Sequence, residues 1–317
     1  MTRHANTAGL VERMRAGDTR ALARAISLVE NEAAEAPALL SACFALERHA
    51  LRIGITGAPG AGKSTLADRL AQHFRHAERT VGMLAVDPTS PFSGGALLGD
   101  RIRLREHASD PEFYCRSMAT RGALGGLALA TADVALVLEA AGKDVLLIET
   151  VGVGQDEVEI ARLADITVVV LVPGMGDDVQ SLKAGVMEIA DLYVVNKADR
   201  EGADRVEQEI KAMQSLGGRM GAEAAPVVRT VATTGEGVDA LGAALARAEA
   251  WLGEDGRLAE RRTRHWQRRL EAMLRAELMR RARLNGLTEA ELEAHARRVA
   301  QGEEDPWELV RELAKNV

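Results

Sequence analysis

The sequence predicts an α/β protein built on a mostly parallel β-sheet. From residue 51 onward, apolar stretches of strand length alternate with stretches of helical spacing, the pattern of parallel strands joined by crossover helices. Several of these strands are continuous apolar runs, as expected where helices cover both faces of a sheet. A glycine-rich turn, Gly57–Thr65, separates the first strand from a helical run. The predicted strands are Leu51–Thr56, Val81–Val86, Val145–Glu149, Thr167–Val172, Leu192–Asn196 and Val227–Thr230.

Composition and charge narrow the class of protein. The 317 residues are 47% hydrophobic but only 3% aromatic, so the core must consist mainly of aliphatic side chains. The net charge of −7 disfavours nucleic-acid binding, and no apolar run is long enough to span a membrane. Two cysteines, Cys43 and Cys115, are too few for a disulfide framework, and no signal-peptide pattern is present. We therefore expect a soluble cytoplasmic protein with no nucleic-acid or membrane partner.

Residues 1–48 are predicted to form a helical segment ahead of the sheet. Gly17-Asp18 is typical of a helix end followed by the N-cap of the next helix. Because the segment carries no chemical motif, its expected role is to pack against the domain that follows. Its apolar residues recur at helical spacing in three runs, which are Leu10, Val11 and Met14, then Leu22, Ile26 and Val29, and then Leu39, Leu40, Phe44 and Leu46.

A phosphate-binding loop is predicted between the first strand and the helix that follows it. The sequence there reads Gly57-Ala58-Pro59-Gly60-Ala61-Gly62-Lys63-Ser64-Thr65 and fits the pattern G-x-x-x-x-G-K-[ST]. Glycines let backbone N–H groups turn toward phosphate oxygens, and the helix adds the positive end of its dipole. Lys63 is expected to reach the β- and γ-phosphates, and the Ser64 hydroxyl is expected to ligate magnesium. The helix itself is predicted from Thr65 to about Phe74.

Further candidate site residues follow the predicted strands, at the edge where parallel sheets bind ligands. Asp87, after the second strand, is expected to hold magnesium-bound water or to orient the attacking water. Glu149 ends an apolar strand, as does a Walker-B carboxylate that holds magnesium through water. Asp100 is either a magnesium ligand or a helix N-cap. The Gly152 N–H is expected to contact the γ-phosphate, and Gln155 either positions water or is merely solvated.

A base-reading segment, Asn196-Lys197-Ala198-Asp199, follows the strand that ends at Asn196. The Asp199 carboxylate can accept from both N1–H and the exocyclic amino group of guanine, a pair that adenine does not offer. Asn196 is expected to support O6 and N7, and the Lys197 stem to cover the ring. The pattern therefore favours GTP over ATP. After the last strand, the stretch containing Thr230 and Ala232 is expected to supply a backbone N–H to O6.

A third loop, Pro173–Lys183, carries two adjacent carboxylates, Asp177-Asp178, and ends on a lysine. We interpret it as a nucleotide-sensitive loop that contacts a partner, with Lys183 within reach of the nucleotide. The alternative is an ordinary loop and capped helix start with a solvated lysine.

The C-terminal residues 251–317 show helical spacing only. Asn285-Gly286 is expected to end a first helix, and Thr288 with Glu291 predicts a capping box at the start of the second. We divide the chain into a helical segment 1–48, a nucleotide domain 49–250 and a helical region 251–317. The apolar stripe of that last region suggests a dimerisation arm, or packing onto its own domain. The stripe consists of Trp266, Leu270, Met273, Leu274 and Leu278.

Taken together, these motifs resemble one family, the methylmalonyl-CoA mutase-associated GTPases, which are MeaB- and ArgK-type chaperones of adenosylcobalamin-dependent mutases. The resemblance covers nearly the whole chain, and Glu149–Gln155 is far more specific than the phosphate loop. Two stretches depart from the family: Arg116–Thr120 lacks the Arg-Pro-Ser-Pro of several relatives, and Thr230–Thr234 lacks the usual Ser-Ala pair. The remaining matching residues are Gly57–Thr65, Asp87–Ser90 with Gly94-Gly95, Leu98–Asp100, Arg121–Gly126, Gly176–Asp178 with Lys183, and Asn196–Asp199.

The resemblance implies a P-loop NTPase of the signal-recognition-particle-like GTPase class, with GTP or GDP and Mg²⁺ as ligands. It implies that GTP binding and hydrolysis gate adenosylcobalamin loading, protection and reactivation of an acyl-CoA mutase such as methylmalonyl-CoA mutase. A homodimer through the C-terminal helices and a cobalamin adenosyltransferase as a further partner are also implied. By resemblance, the phosphate and magnesium site consists of Lys63, Ser64, Asp87, Asp100 and Glu149, and the loop that signals to the mutase contains Asp177 and Lys183. The candidate catalytic residues are Lys63, Asp87, Glu149, Gly152 and Lys183.

Two other functions fit the same nucleotide motifs. The first is a P-loop kinase, which is the activity for which ArgK was once named. A kinase needs a pocket for the group that accepts the phosphate, and no motif in this sequence supplies one. It should also prefer ATP. A metal-delivery GTPase needs clustered Cys or His ligands, whereas Cys43 and Cys115 are isolated in the sequence. No arginine finger is identifiable, so we expect a GTPase that is slow alone and stimulated by its partner.

Overall fold

The computed structural model describes residues 2–87, 110–119, 126–150, 163–174, 189–216 and 224–315. They divide into two compact units, Met1–Arg262 and Thr263–Val317. The strands are β1 (Leu51–Gly57), β2 (Val81–Asp87), β3 (Phe113–Ala119), β4 (Val145–Glu149), β5 (Ile166–Leu171), β6 (Leu192–Asn196) and β7 (Val227–Thr230). The helices are α1 (Thr2–Arg15), α2 (Thr19–Glu30), α3 (Ala36–Phe44), α4 (Lys63–His76), α5 (Gly126–Ala140), α6 (Ala203–Leu216), α7 (Val238–Gly253), α8 (Arg257–Leu284), α9 (Glu289–Ala300) and α10 (Pro306–Lys315).

The seven strands form one parallel sheet in the order β3-β2-β4-β1-β5-β6-β7. The chain moves to one side of β1 to form β2, β3 and β4, and to the other side to form β5, β6 and β7. In such a sheet the ligand crevice lies at the carboxyl end of the strand where the direction changes. The pairing register places Ile55 beside Glu149 and Asn196 beside Thr230, so the predicted site residues Glu149, Asn196 and Thr230 share that edge.

Apolar side chains of the central strands alternate between the two faces of the sheet, one covered by a single buried cluster and the other by two. In β4, for example, Val145 and Leu147 pack into the cluster that contains α4 and α7, whereas Leu146 and Ile148 pack against α5. Because both faces are covered, the strand has no polar side, which explains the continuous apolar runs in the sequence.

The three N-terminal helices pack onto the same face as α5. Met14, Ile26 and Leu39 are almost fully buried in the cluster that also contains the β2 and β4 side chains of that face. At the start of α2, the Asp18 carboxylate accepts hydrogen bonds from Arg20 N and Ala21 N, as its predicted role as N-cap requires. The expectation that this segment packs against the nucleotide domain is confirmed.

The sequence correctly predicted six of the strands but missed β3. β4, β6 and β7 have the predicted bounds, and β1, β2 and β5 differ from them by one residue. β3 pairs in this sheet with β2 alone, and its residues are mostly half-buried. Since an edge strand needs fewer apolar side chains, its sequence, Phe-Tyr-Cys-Arg-Ser-Met-Ala, is interrupted by two polar residues and contains no apolar run of strand length.

The second unit consists of helices. α8 ends before Gly286, which adopts a positive φ of 110°. The predicted capping box at the start of α9 is present: Thr288 Oγ1 accepts from Glu291 N at 3.2 Å, and Glu291 Oε2 accepts from Thr288 N at 2.9 Å. None of the helices in the described part of the chain is both long and apolar enough to cross a membrane.

Candidate functional site

The phosphate-binding loop connects the last residue of β1, Gly57, to the first residue of α4, Lys63. Gly62 precedes the helix with a positive φ of 86°, and a Cβ there would lie 2.5 Å from the amide nitrogen of Asn196. Only glycine therefore permits both this backbone conformation and the close approach of Asn196. The predicted helix start at Thr65 is two residues late, because Lys63 and Ser64 already belong to the first turn.

Lys63 is 5% exposed, and its ammonium group lies within the loop. Nζ donates to Gly57 O at 2.8 Å and to Ala58 O at 2.9 Å. A buried ammonium needs such acceptors, and phosphate oxygens are stronger acceptors than carbonyls because they carry charge. The lysine is therefore held at the loop in a position from which it can bind an anion.

Ser64 and Glu149 are brought together from α4 and from the end of β4. Ser64 Oγ lies 2.5 Å from Glu149 Oε1, and the Glu149 side chain is buried. Hydroxyl and carboxylate oxygens are ligands that Mg²⁺ prefers, and this ion usually combines one or two protein oxygens with water and phosphate oxygens. The donor set thus fits magnesium. No group of three or more His, Cys, Asp or Glu side chains suited to a metal ion occurs among the described residues.

Asn196, at the end of β6, joins the phosphate loop to the segment that follows β7. Its Nδ2 donates to Ala61 O at 2.8 Å. Its Oδ1 accepts from Thr230 Oγ1 and from Ala232 N, both at 3.1 Å. Asn196 is 1% exposed, so each of these bonds is sheltered from water. Ala232 belongs to the stretch that was expected to supply a backbone N–H to guanine O6, and its own N–H donates to this side chain.

The next residues of the segment are oriented by the same contacts. Lys197 has a positive φ of 55°, and its Nζ donates to Gly60 O at 2.7 Å, so its stem lies across the phosphate loop. Ala198 N donates to Thr230 O at 3.0 Å. Asp199 is exposed at the surface beyond this turn.

The remaining predicted site residues are described in part or not at all. Asp87 is the last residue of β2 at the same sheet edge, but its side chain lies outside the described residues. Asp100, Gly152, Gln155, Asp177 and Lys183 also lie outside them, together with most of the third loop and the stretch Arg121–Gly125.

Two features of the site were not predicted from the sequence. Thr150 Oγ1 donates to Thr56 Oγ1 at 3.1 Å, linking the ends of β4 and β1 beside Glu149. Arg69, on α4, hydrogen-bonds the loop after β7. Neither contact has a local sequence signal, because each joins residues distant in the chain.

Comparison with known proteins decides the family. A family model described as methylmalonyl-CoA mutase-associated GTPase MeaB matches residues 22–286. The chain belongs to this MeaB family. A protein of Pyrococcus abyssi described as a GTPase is 46% identical over 311 residues, which cover 97% of this chain and 96% of that protein. The mouse protein named methylmalonic aciduria type A homolog, mitochondrial, is 36% identical over 276 residues, or 81% of this chain and 66% of that protein.

A solved structure shares the fold of this chain. The crystal structure of a protein named LAO/AO transport system kinase aligns with a TM-score of 0.72 and 27% identity, covering 98% of this chain and 97% of that one. The protein named GTPase ArgK of Escherichia coli is 40% identical over 210 residues, or 65% of this chain and 63% of that protein. The predicted resemblance to MeaB- and ArgK-type proteins and the predicted P-loop GTPase fold are therefore confirmed. This MeaB-family protein is a nucleotide-binding enzyme that hydrolyses GTP.

Proposed function

We propose that this MeaB-family GTPase is a chaperone of an adenosylcobalamin-dependent acyl-CoA mutase such as methylmalonyl-CoA mutase. GTP binding and hydrolysis would gate the loading of adenosylcobalamin and the protection and reactivation of the mutase. The observation that carries the proposal is the match of residues 22–286 to a family described by its association with methylmalonyl-CoA mutase. A cobalamin adenosyltransferase, which would supply the cofactor, is a further candidate partner.

The geometry of the phosphate loop supports the nucleotide part of this proposal. Lys63 would exchange its two carbonyl acceptors for β- and γ-phosphate oxygens, because charged oxygens are stronger acceptors for an ammonium group. Ser64 and Glu149 would hold Mg²⁺ directly or through water. When bound, the ion neutralises charge on the transferred phosphoryl group. Asp87, Asp100, Gly152 and Lys183 remain proposed members of this site.

The base-reading segment supports a preference for guanine. Asn196 holds the segment, the phosphate loop and the loop after β7 together, so Asp199 follows a turn of fixed geometry. We propose that Asp199 accepts from N1–H and the exocyclic amino group of guanine. Thr230 and Ala232 then act through Asn196, by holding its side-chain oxygen in place.

The surface of the second unit supports a homodimer. One residue of α8, Ala282, is buried, and none of α9 or α10 is buried. These helices nevertheless present large apolar side chains, among them Leu270 at 58%, Leu274 at 59% and Trp307 at 73% exposure. Helices that bury so little apolar surface gain stability by covering it with a second copy.

The test is a titration of the purified GTPase with its cognate mutase. We expect kcat for GTP to rise with mutase concentration and to saturate, because the partner completes a site that is slow alone. The Lys63→Ala variant should show neither basal nor stimulated hydrolysis while keeping the thermal unfolding transition of the folded chain. An unchanged rate across the titration would contradict the chaperone proposal.

A nucleotide-dependent kinase is the second candidate, favoured by the similarity of the chain to a protein named LAO/AO transport system kinase. A kinase differs from a GTPase in the nucleotide that it consumes and in the product that it forms. A kinase acting on a small molecule should use ATP and produce ADP in proportion to a phosphorylated acceptor. The GTPase should release inorganic phosphate from GTP, with ATP a poor substitute.

A further inference from the structure

Arg69 lies on α4, the helix that begins with Lys63 and Ser64, and it reaches the loop that follows β7. Its Nε donates to Ala232 O and its Nη2 donates to Thr233 O, both at 3.1 Å. Its third nitrogen, Nη1, donates to Gln72 Oε1 at 3.0 Å, one turn further along the helix. The guanidinium plane is therefore fixed by its own helix and aims two donors at consecutive carbonyls of the loop.

Ala232 is held from two sides. Its N–H donates to Asn196 Oδ1, which belongs to the base-reading segment, and its carbonyl accepts from Arg69. Rotation of the peptide units around Ala232 would break one bond or the other. Arg69 thus connects the helix that carries the phosphate-binding side chains to the loop that supports the base-reading segment.

The base of this loop is closed by its own backbone bonds. Val231 pairs with Glu236 in a β-bridge, and Thr234 N and Gly235 N both donate to Val231 O at 3.0 Å. These bonds close the turn whether or not Arg69 is present. The exposed Thr233 carbonyl can also be hydrated if the guanidinium is removed. Removal of Arg69 should therefore alter the orientation of the loop more than the stability of the fold.

We propose that Arg69 is a positioning residue for guanine recognition, which holds the loop after β7 in the orientation that fits O6. This inference rests on the proposed guanine site. It predicts that Arg69 contributes to the discrimination between guanine, which has an oxygen at position 6, and adenine, which has an amino group there. It should contribute nothing to recognition of the 2-amino group, which belongs to Asp199.

Three diphosphates separate these contributions. GDP and IDP both carry O6, but IDP lacks the 2-amino group, so the GDP:IDP affinity ratio reports on Asp199. ADP lacks O6, so a change in the GDP:ADP ratio also reports on the loop. For Arg69→Ala we expect the affinity for GDP, measured by calorimetry, to fall about tenfold, as for the loss of one or two charged hydrogen bonds. The GDP:ADP ratio should fall with it, and the GDP:IDP ratio should stay as in the wild type.

Two further variants serve as controls. Arg69→Lys keeps a charge and a single donor centre, so its GDP:ADP ratio should lie between those of the wild type and Arg69→Ala. Arg75→Ala removes an arginine of the same helix that bonds Asp110 at 2.7 Å and Arg79 O at 2.9 Å, and it should keep both ratios.

An Arg69→Ala variant that kept the wild-type GDP:ADP ratio would overturn the inference. So would an equal loss of affinity for all three nucleotides, because Arg69 would then act on the phosphates alone. A wild-type chain without any preference for GDP over ADP would instead overturn the guanine site itself, and the inference with it.

Discussion

At the scale of single residues, Asn196 connects three segments of the nucleotide site through one buried side chain. In Asn196→Ala, Ala61 O and Ala232 N would lose their hydrogen bonds to the Asn196 side chain. Because a buried polar group without a partner costs about 1–3 kcal/mol, we expect the free energy of unfolding in urea to fall by about that amount. The affinity for GDP should fall as well, since the phosphate loop and the loop after β7 lose their common contact.

The matched control for this change is Thr230→Val, which has nearly the same shape and removes only the hydroxyl donor to Asn196 Oδ1. It should destabilise the chain less than Asn196→Ala, because Ala61 O and Ala232 N keep their partner. Equal unfolding free energies for Asn196→Ala and the wild type would contradict the connecting role of this side chain.

Asp199 gives a second prediction at this scale. An Asn side chain there replaces one carboxylate oxygen by a donor, which matches the O2 of xanthine rather than the amino group of guanine. We expect Asp199→Asn to lose affinity for GDP and gain affinity for XDP, measured by competition against a fluorescent nucleotide. Asp204→Asn, which alters an exposed carboxylate of α6, should leave the preference for GDP intact. Undiminished GDP affinity in Asp199→Asn would argue against the assigned base contact.

These residues also show which parts of the site a sequence can reveal. The phosphate loop and the base-reading segment are runs of adjacent residues, because consecutive backbone groups must surround one ligand, and such runs form recognisable motifs. The Arg69 contact joins residues 163 positions apart, and an arginine on a helix surface has no feature that distinguishes it from a solvated one. The same holds for the threonine pair Thr56 and Thr150. Contacts of this kind depend on the tertiary fold and become visible only in the structure.

At the scale of elements, the strength of the sequence signal follows the degree of burial. β4 and β5 are buried along their whole length, and their apolar runs located them to within one residue. β3 is less buried than these two strands, and its residue Arg116 forms an ion pair with Glu30 of α2. A strand that carries such a polar contact lacks the periodic pattern on which prediction depends.

The packing of α4 against α7 gives a prediction for elements. Gly242 of α7 lies against His73 of α4, and a Cβ at Gly242 would lie 2.1 Å from His73 Nε2. His73 is in turn held by Asp239, 3.2 Å from its Nδ1, so the ring cannot move without losing that contact. We expect Gly242→Ala to lower the free energy of unfolding by about 1–3 kcal/mol, as overpacking does. The difference in unfolding free energy between this variant and the wild type is measured by denaturant titration.

Gly253, at the end of the same helix, is the matched control. Nothing lies within 4 Å of a Cβ placed there, and its φ is not positive. Gly253→Ala should be neutral or stabilise the chain by up to about 1 kcal/mol, because alanine restricts the unfolded chain. If both variants unfolded at the same denaturant concentration, the packing of α7 against α4 would not restrict the size of the side chain at position 242.

At the scale of the whole molecule, the two units differ in how they bury apolar surface. The first contains the sheet with a buried cluster on each face. In the second, Ala282 is the buried residue of α8, and α9 and α10 have none. Because the nucleotide site lies entirely in the first unit, assembly through the second can be altered without touching the residues that bind nucleotide.

This separation makes the proposed homodimer testable. Leu270→Glu combined with Leu274→Glu places two charges on the apolar surface of α8, where the wild-type side chains are 58% and 59% exposed. Burying a carboxylate without a partner is far more costly than burying leucine, so we expect sedimentation to show a monomer where the wild type is a dimer. Arg275→Glu changes charge on the same helix and should remain a dimer. Basal GTP hydrolysis should continue in the double variant, and a dimer persisting in it at micromolar concentration would exclude this surface as the interface.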